Sequence, residues 1–161
     1  MAGTHNMTEN NLPSITVLSG GVGEEREVSL ETGQAISSAL QDRYGVTLVD
    51  LAQHSLPPDL NGSNTIVFPA IHGTFGEDGS VQKILEDHKI CYNGSSSLTS
   101  EHCFDKNFTK ILAKENNILT PRWLLIDSNK MFNVADIDFR PVVKPNKEGS
   151  TIGFSLIGRL S

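Results

Sequence analysis

The sequence predicts an α/β protein built on a parallel sheet. Three observations carry this. An apolar run at 15–18 ends in the glycine turn Gly20-Gly21-Val22-Gly23, helical periodicity follows from about Glu25, and a second apolar run fills 46–51 after Gly45. Strand, glycine turn, helix, strand is a βαβ unit, and its two strands must run parallel.

Taken in order, residues 1–13 are polar and form a leader expected to be disordered. The helix beginning near Glu25 carries Val28, Thr32, Ala35, Ile36, Ala39 and Leu40 at helical spacing. Its first turn is acidic, with Glu24, Glu25 and Glu27, which suits the positive end of the helix dipole. The 52–63 stretch, with Pro57-Pro58 and Asn61-Gly62, is loop. A third buried strand covers 65–71, with Pro69 implying an edge or a strand end. The loop 72–79 follows, then a helix over 80–87 with Val81, Ile84 and Leu85 inward, and a short strand at 90–92 ending in Asn93-Gly94. A domain boundary is expected in the serine run 95–97. Beyond it come a helix over 105–116 with Phe108, Ile111 and Leu112 on one side, a break at Thr120-Pro121, and strands at 123–126 and 140–144.

Composition narrows the function classes. The 161 residues suit one domain or slightly more. A net charge of −6 leaves no basic field for a nucleic-acid groove, although local lysines and helix N-termini still suit small anions. Residues 1–11 lack the basic and apolar regions of a secretory signal, and no apolar run approaches the roughly 20 residues of a membrane span, so a cytoplasmic location is expected. Cys91 and Cys103 show no metal or redox spacing and are expected to be reduced thiols.

Several residues carry candidate chemistry. The segment 141–153 leads an apolar dipeptide into Lys144 and then into a loop with Lys147, Gly149, Ser150, Thr151 and Gly153. Backbone N–H groups, hydroxyls and ammonium groups of such a loop can converge on phosphate oxygens. Lys144 follows two valines, and an ammonium buried there needs an anionic partner. Lys106 opens a helix, against the dipole, which points to a nearby anion or to a solvated lysine. Glu25, at a strand-end turn, either anchors a substrate ammonium or complements the dipole. His72, where the third strand ends, either donates to a substrate carboxylate or fixes the loop backbone. Glu77 and Asp78 read as turn and cap residues rather than catalytic acids. A dinucleotide fingerprint fails, because Gly21-x-Gly23 is followed by Arg26 where a third glycine belongs.

Together and in this order, several runs resemble the D-alanine–D-alanine ligase family of ATP-grasp enzymes. They are Val17-Leu-Ser-Gly-Gly with Glu25-Arg-Glu-Val-Ser-Leu30, Ile71-His-Gly-Thr-Phe-Gly-Glu-Asp-Gly79, Tyr92-Asn-Gly-Ser95, Asp105-Lys106, Thr120-Pro121-x-Trp123 and Val143-Lys-Pro-x-x-Glu-Gly-Ser-Thr-Ile-Gly153. The resemblance spans about 15–155. It implies a Rossmann-like pre-ATP-grasp domain over 14–95, followed over 96–161 by an incomplete ATP-grasp α+β subdomain. It also implies a cytoplasmic enzyme of cell-wall peptidoglycan synthesis. That enzyme uses ATP and Mg²⁺ to phosphorylate one D-alanine carboxylate and lets the amine of a second attack the acyl phosphate. Glu25 would hold the first ammonium, and His72 would sit close to that substrate. Lys106, Lys144, Ser150 and Thr151 would contact ATP, and Ser150 would also hold Glu25 and the loop in place.

The family's metal ligands, adenine site, oxyanion-stabilising arginine and second-substrate site would lie beyond Ser161, so no metal ligand is assigned within the chain. On this basis the 161 residues alone are expected to lack ligase activity, and 154–157 to form an unpaired apolar edge. A non-catalytic substrate-binding or regulatory module, a related ligase with another second substrate, and a homodimer stay open.

Overall fold

The computed structural model describes residues 12–60, 63–127, 129, 133, 137, 141–150 and 152–157. Most of the leader, Asn61-Gly62, Arg140, Thr151 and 158–161 lie outside the described residues. The elements are β1 (Ser14–Gly20), α1 (Arg26–Leu40), β2 (Val46–Leu51), β3 (Thr65–Pro69), α2 (Ser80–Asp87), β4 (Cys91–Tyr92), α3 (Ser97–Phe104), α4 (Lys106–Glu115), β5 (Val142–Val143) and β6 (Ser155–Leu156).

The first four strands form one parallel sheet in the order β2-β1-β3-β4, as the βαβ pattern requires. Ile15 pairs with Val46 on one side and Ile66 on the other, so the three long strands start level, and β3 ends at Pro69 opposite Leu18. Alternation along β1 sends Ile15 and Val17 to a core shared with Ile36 and Leu40 of α1. Leu18 enters the opposite core with Val67, Phe75, Val81 and Leu85. Pro69 ends β3, which sits inside the sheet between β1 and β4. A proline there removes no ladder hydrogen bond from the strand's interior.

The seam of α1 differs from the expected one. Its buried residues are Ser29 and Gly33, while Val28 is 53% exposed and Ala35 and Ala39 face solvent. Apolar periodicity missed this because the seam is made by size. A Cβ on Gly33 would lie 2.5 Å from the Ser19 Cβ, so only glycine lets the helix settle this close to β1. The Ser29 hydroxyl, fully buried, accepts from the Gly20 N–H at 2.8 Å and donates to the Ala70 carbonyl at 2.7 Å.

Other expectations need correction. The serine run at 95–97 opens a helix: Ser96 caps α3, its hydroxyl accepting from the Thr99 N–H. Poor apolar periodicity in the α3 sequence hid it. The 105–116 helix is α4, with Asp105 as its cap, and Phe108, Ile111 and Leu112 remain 38–47% exposed. Residues 123–126 form no strand. Val142, Val143 and Lys144 are exposed, so the lysine is not buried in an apolar strand. Ser155–Leu156 pairs antiparallel with Val142–Val143 on one side only among the described residues, so the expected apolar edge is half paired, with Leu156 76% exposed. Among the described residues none beyond Ile90 is buried. No described helix is long and apolar enough to cross a membrane.

One carboxylate ties the sheet to α3. Glu86 Oε1 accepts from the Tyr92 hydroxyl at 2.7 Å and the Ser97 N–H at 2.9 Å, and its Oε2 accepts from the Ser97 hydroxyl at 2.6 Å. The Ser97 hydroxyl and amide, then the Tyr92 hydroxyl, pull the Glu86 carboxyl down to about 2. Burial, then the Glu86 carboxylate, pushes the Tyr92 hydroxyl up to about 12.

Two outcomes follow. Ser29→Ala leaves a buried amide and a buried carbonyl without partners and is expected to lower stability by about 2–3 kcal/mol; a loss under about 0.5 kcal/mol in urea unfolding would refute the bridge. Because Glu86 is depressed in the fold, its contribution holds above its ordinary value near 4.5 and is lost as pH falls from there toward about 2. Tyr92 is raised, so its contribution holds below about 10 and is lost as pH climbs toward about 12. Thermal unfolding of Glu86→Gln should therefore show a flatter acid limb than the parent.

Candidate functional site

In a parallel sheet the polar groups that can meet a ligand lie past the carboxyl ends of the strands. Here β1 delivers the glycine turn and α1, and β3 delivers the loop 70–79. The buried Ser29 bridge holds the two ends together. Arg26 fastens the turn. Its guanidinium donates to both Asp50 oxygens, at 2.8 and 2.7 Å, and to the Gly21 carbonyl at 3.0 Å. Hydrogen bonding to Asp50 raises the guanidinium's pKa further above its already high value. The arrangement explains why the dinucleotide fingerprint fails. The acidic side chain near the end of β2, which in that fold would meet a ribose, is occupied by the arginine standing in place of the third glycine.

Glu25 immediately precedes α1, and its side chain makes no capping bond. Its Oε2 is inaccessible to solvent and, among the described residues, has no hydrogen-bond partner. Two backbone approaches crowd it. A Cβ on Gly73, which has φ +68°, would lie 2.9 Å from that oxygen, and one on Gly149 would lie 3.6 Å away. The Gly149 Cβ would also lie 3.2 Å from Glu77 Oε2. The loop 145–150 is thus folded across two carboxylates. A buried carboxylate oxygen without a donor is costly, and an ammonium group would satisfy it.

His72 stands beside this pair. Its Nδ1 is 3.5 Å from Glu77 Oε1, and its Nε2 is 3.1 Å from the Thr32 hydroxyl on α1. Both ring nitrogens are therefore held, which fixes the imidazole plane. Glu77 is the turn residue read from sequence, its N–H donating to the Gly73 carbonyl at 2.8 Å, and its side chain also joins His72 to the loop over Glu25. Asp78 precedes Gly79, the N-cap of α2, and accepts from the Ser80 N–H at 2.9 Å. A cavity of about 400 Å³ is lined by Thr32, His72, Glu77, Gln82, Thr99 and Cys103. A larger one of about 940 Å³ runs between α2 and α3 to Lys147.

On the other side, Lys106 donates through Nζ to the Glu148 carbonyl and, at 3.4 Å, to the Asn146 carbonyl. The group that settles this lysine at a helix start is thus a pair of loop carbonyls, together with the Asp105 cap. The Phe108 N–H and then the Asn146 amide hold the Asp105 carboxyl below its ordinary range. Lys144 does not join the cluster. Its ammonium lies 5.5 Å from the Phe154 ring centroid, across the β5–β6 ribbon. Ser150 adopts φ +46° and is exposed, with no hydrogen bond to Glu25 among the described residues; its neighbour Gly149 is what abuts that carboxylate. Thr151 lies outside the described residues. Among the described residues no group of three or more His, Cys, Asp or Glu side chains is placed to hold a metal ion.

Past the carboxyl ends of a parallel α/β sheet, a lysine-braced glycine loop folds over an unpartnered carboxylate. This arrangement is similar to the N-terminal part of known D-alanine–D-alanine ligases. By sequence and fold, the chain is a relative of the D-alanine–D-alanine ligases. Residues 52–95 match the family model described as the D-ala D-ala ligase N-terminus. The D-alanine–D-alanine ligase of Aquifex aeolicus is 39% identical over 148 residues, covering 91% of this chain and 51% of that protein. That of Syntrophotalea carbinolica is 43% identical, covering 89% and 47%. The crystal structure of the Bacillus anthracis ligase complexed with ATP superposes with a TM-score of 0.78 at 32% identity, covering 92% of this chain and 49% of that one. The chain thus spans about half the length of the curated relatives it matches.

Glu25→Gln removes a charged oxygen that has no donor in the ligand-free fold. It is expected to leave stability unchanged or raise it by up to about 1–2 kcal/mol. A loss above about 1 kcal/mol in urea unfolding would mean that Glu25 is a structural anchor.

Proposed function

We propose that this chain supplies the first-substrate pocket and the phosphate loop of a D-alanine–D-alanine ligase, a cytoplasmic enzyme that joins two D-alanines at the expense of ATP. The observation that carries this is the solvent-hidden Glu25 oxygen without a donor, lying under a glycine loop and close to the Glu77–His72 pair. The half-length matches to named ligases support it.

In this reading Glu25 accepts from the ammonium of the first D-alanine, and His72, oriented by Glu77 and Thr32, sits close to that substrate. The loop at 145–150 lies over the substrate and excludes water, which protects an acyl phosphate from hydrolysis. Lys106 spends two of its three donors on loop carbonyls and keeps one for a phosphate oxygen. Exposed Lys144 and Ser150, with Thr151, complete the phosphate contacts. Magnesium would accompany ATP and offset the phosphate charge; among the described residues no cluster of three or more His, Cys, Asp or Glu is placed to hold it. The domain boundary in this reading falls at 95/96, just before the α3 helix.

The test is a D-alanine titration of the full chain followed by NMR. D-alanine should perturb His72 and Gly149 more than L-alanine does. Glu25→Gln should weaken D-alanine binding about tenfold or more, since a hydrogen bond to a charged group is lost. D-lactate, which lacks the ammonium, should be indifferent to that substitution. Equal D-alanine binding by parent and Glu25→Gln would sink the assignment.

A further inference from the structure

Asn146 makes more of the contacts between the glycine loop and α4 than any lysine in the loop. Its side-chain carbonyl accepts from the Asn107 N–H at 2.9 Å, and its side-chain amide donates to Asp105 Oδ1 at 2.9 Å. Its main-chain carbonyl accepts from the Lys106 N–H at 3.1 Å and from the Lys106 ammonium. The first amides of a helix have no intrahelical partner, and here a residue 40 positions away supplies two of the acceptors. Asp105 Oδ1 is shared between the Phe108 N–H, its own helix cap, and the Asn146 amide. Lys147, the next residue, lies 3.7 Å from the other Asp105 oxygen. Three residues beyond Asn146, Gly149 abuts Glu25 and Glu77.

We infer that Asn146 is the positioning residue that latches the glycine loop to the start of α4, so that the cover over Glu25 and the Lys106 ammonium move as one unit. It touches no substrate, and it acts by holding Gly149 and Lys106. Its ligand consequence rests on the proposed function, whereas its geometry does not. With the latch closed, the ammonium pocket and the phosphate side assemble together. With it open, each would form separately, and D-alanine would meet an uncovered Glu25.

The experiment is amide hydrogen exchange by NMR on the full chain and two variants. Asn146→Ala should speed exchange at Lys106, Asn107 and Gly149 about tenfold or more while leaving Val17 and Leu18 in β1 unchanged. Asn146→Asp keeps an acceptor for Asn107 but sets a like charge against Asp105. Its loop should be released at neutral pH and regain protection as carboxylates protonate below about pH 4. A merely structural asparagine would give no such pH-dependent recovery. Asn146→Ala should also weaken D-alanine severalfold. If the parent chain does not bind D-alanine, the proposed function fails while the exchange data still decide the latch. Exchange at Lys106 and Asn107 within twofold of the parent in Asn146→Ala overturns it.

Discussion

The Ser29 hydroxyl, wholly buried, receives the Gly20 amide and gives its proton to the Ala70 carbonyl. With one oxygen it ties the end of β1, the first turns of α1 and the chain leaving β3. Glu25 lies four residues before this point and His72 two residues after Ala70, so their separation is set by that bridge and not by loop length. Gly33 makes the bridge possible, because a side chain there would push α1 off β1. A polar side chain sealed between two backbone groups is costly to leave half-satisfied and stable when both partners are present. It therefore behaves as a rigid reference for the groups around it.

Electrostatics then separates two acidic positions that look alike in sequence. Asp50 is neutralised by a two-pronged contact from Arg26, which also pins the glycine turn. At Glu25, one residue before that arginine, Oε2 receives no hydrogen bond among the described residues, although it is sealed from water. Adjacent residues on one turn thus have opposite fates. Arg26 points back to the sheet, and Glu25 points toward the loops. The difference leaves one carboxylate with an unspent demand for a donor, in the place where a parallel sheet presents ligands.

The part of the chain after Ile90 is organised by hydrogen bonds more than by burial. Glu86 joins β4 to α3, Asp105 and Asn146 join α4 to the glycine loop, and the β5–β6 ribbon pairs its backbone without a buried side chain among the described residues. Such contacts set direction well but store little apolar burial, so local opening costs less there than in the sheet.

The sequence by itself determined the parallel sheet, because apolar runs, a glycine turn and helical spacing are local signals, and it carried Glu25, His72, Lys106, Lys144 and Ser150 through motifs whose order is specific. It also excluded a dinucleotide site through Arg26. Only the tertiary structure decided that Ser29 and Gly33, not Val28 and Ala35, form the seam of α1, since small residues pack by what faces them and leave no hydropathy signal. It alone revealed α3, the Glu77–His72–Thr32 contact and the Asn146 latch, and it removed Lys144 from the buried strand expected for it. Those features join residues up to 41 positions apart. No window along the chain contains both partners, and only folding brings a donor and its acceptor within reach.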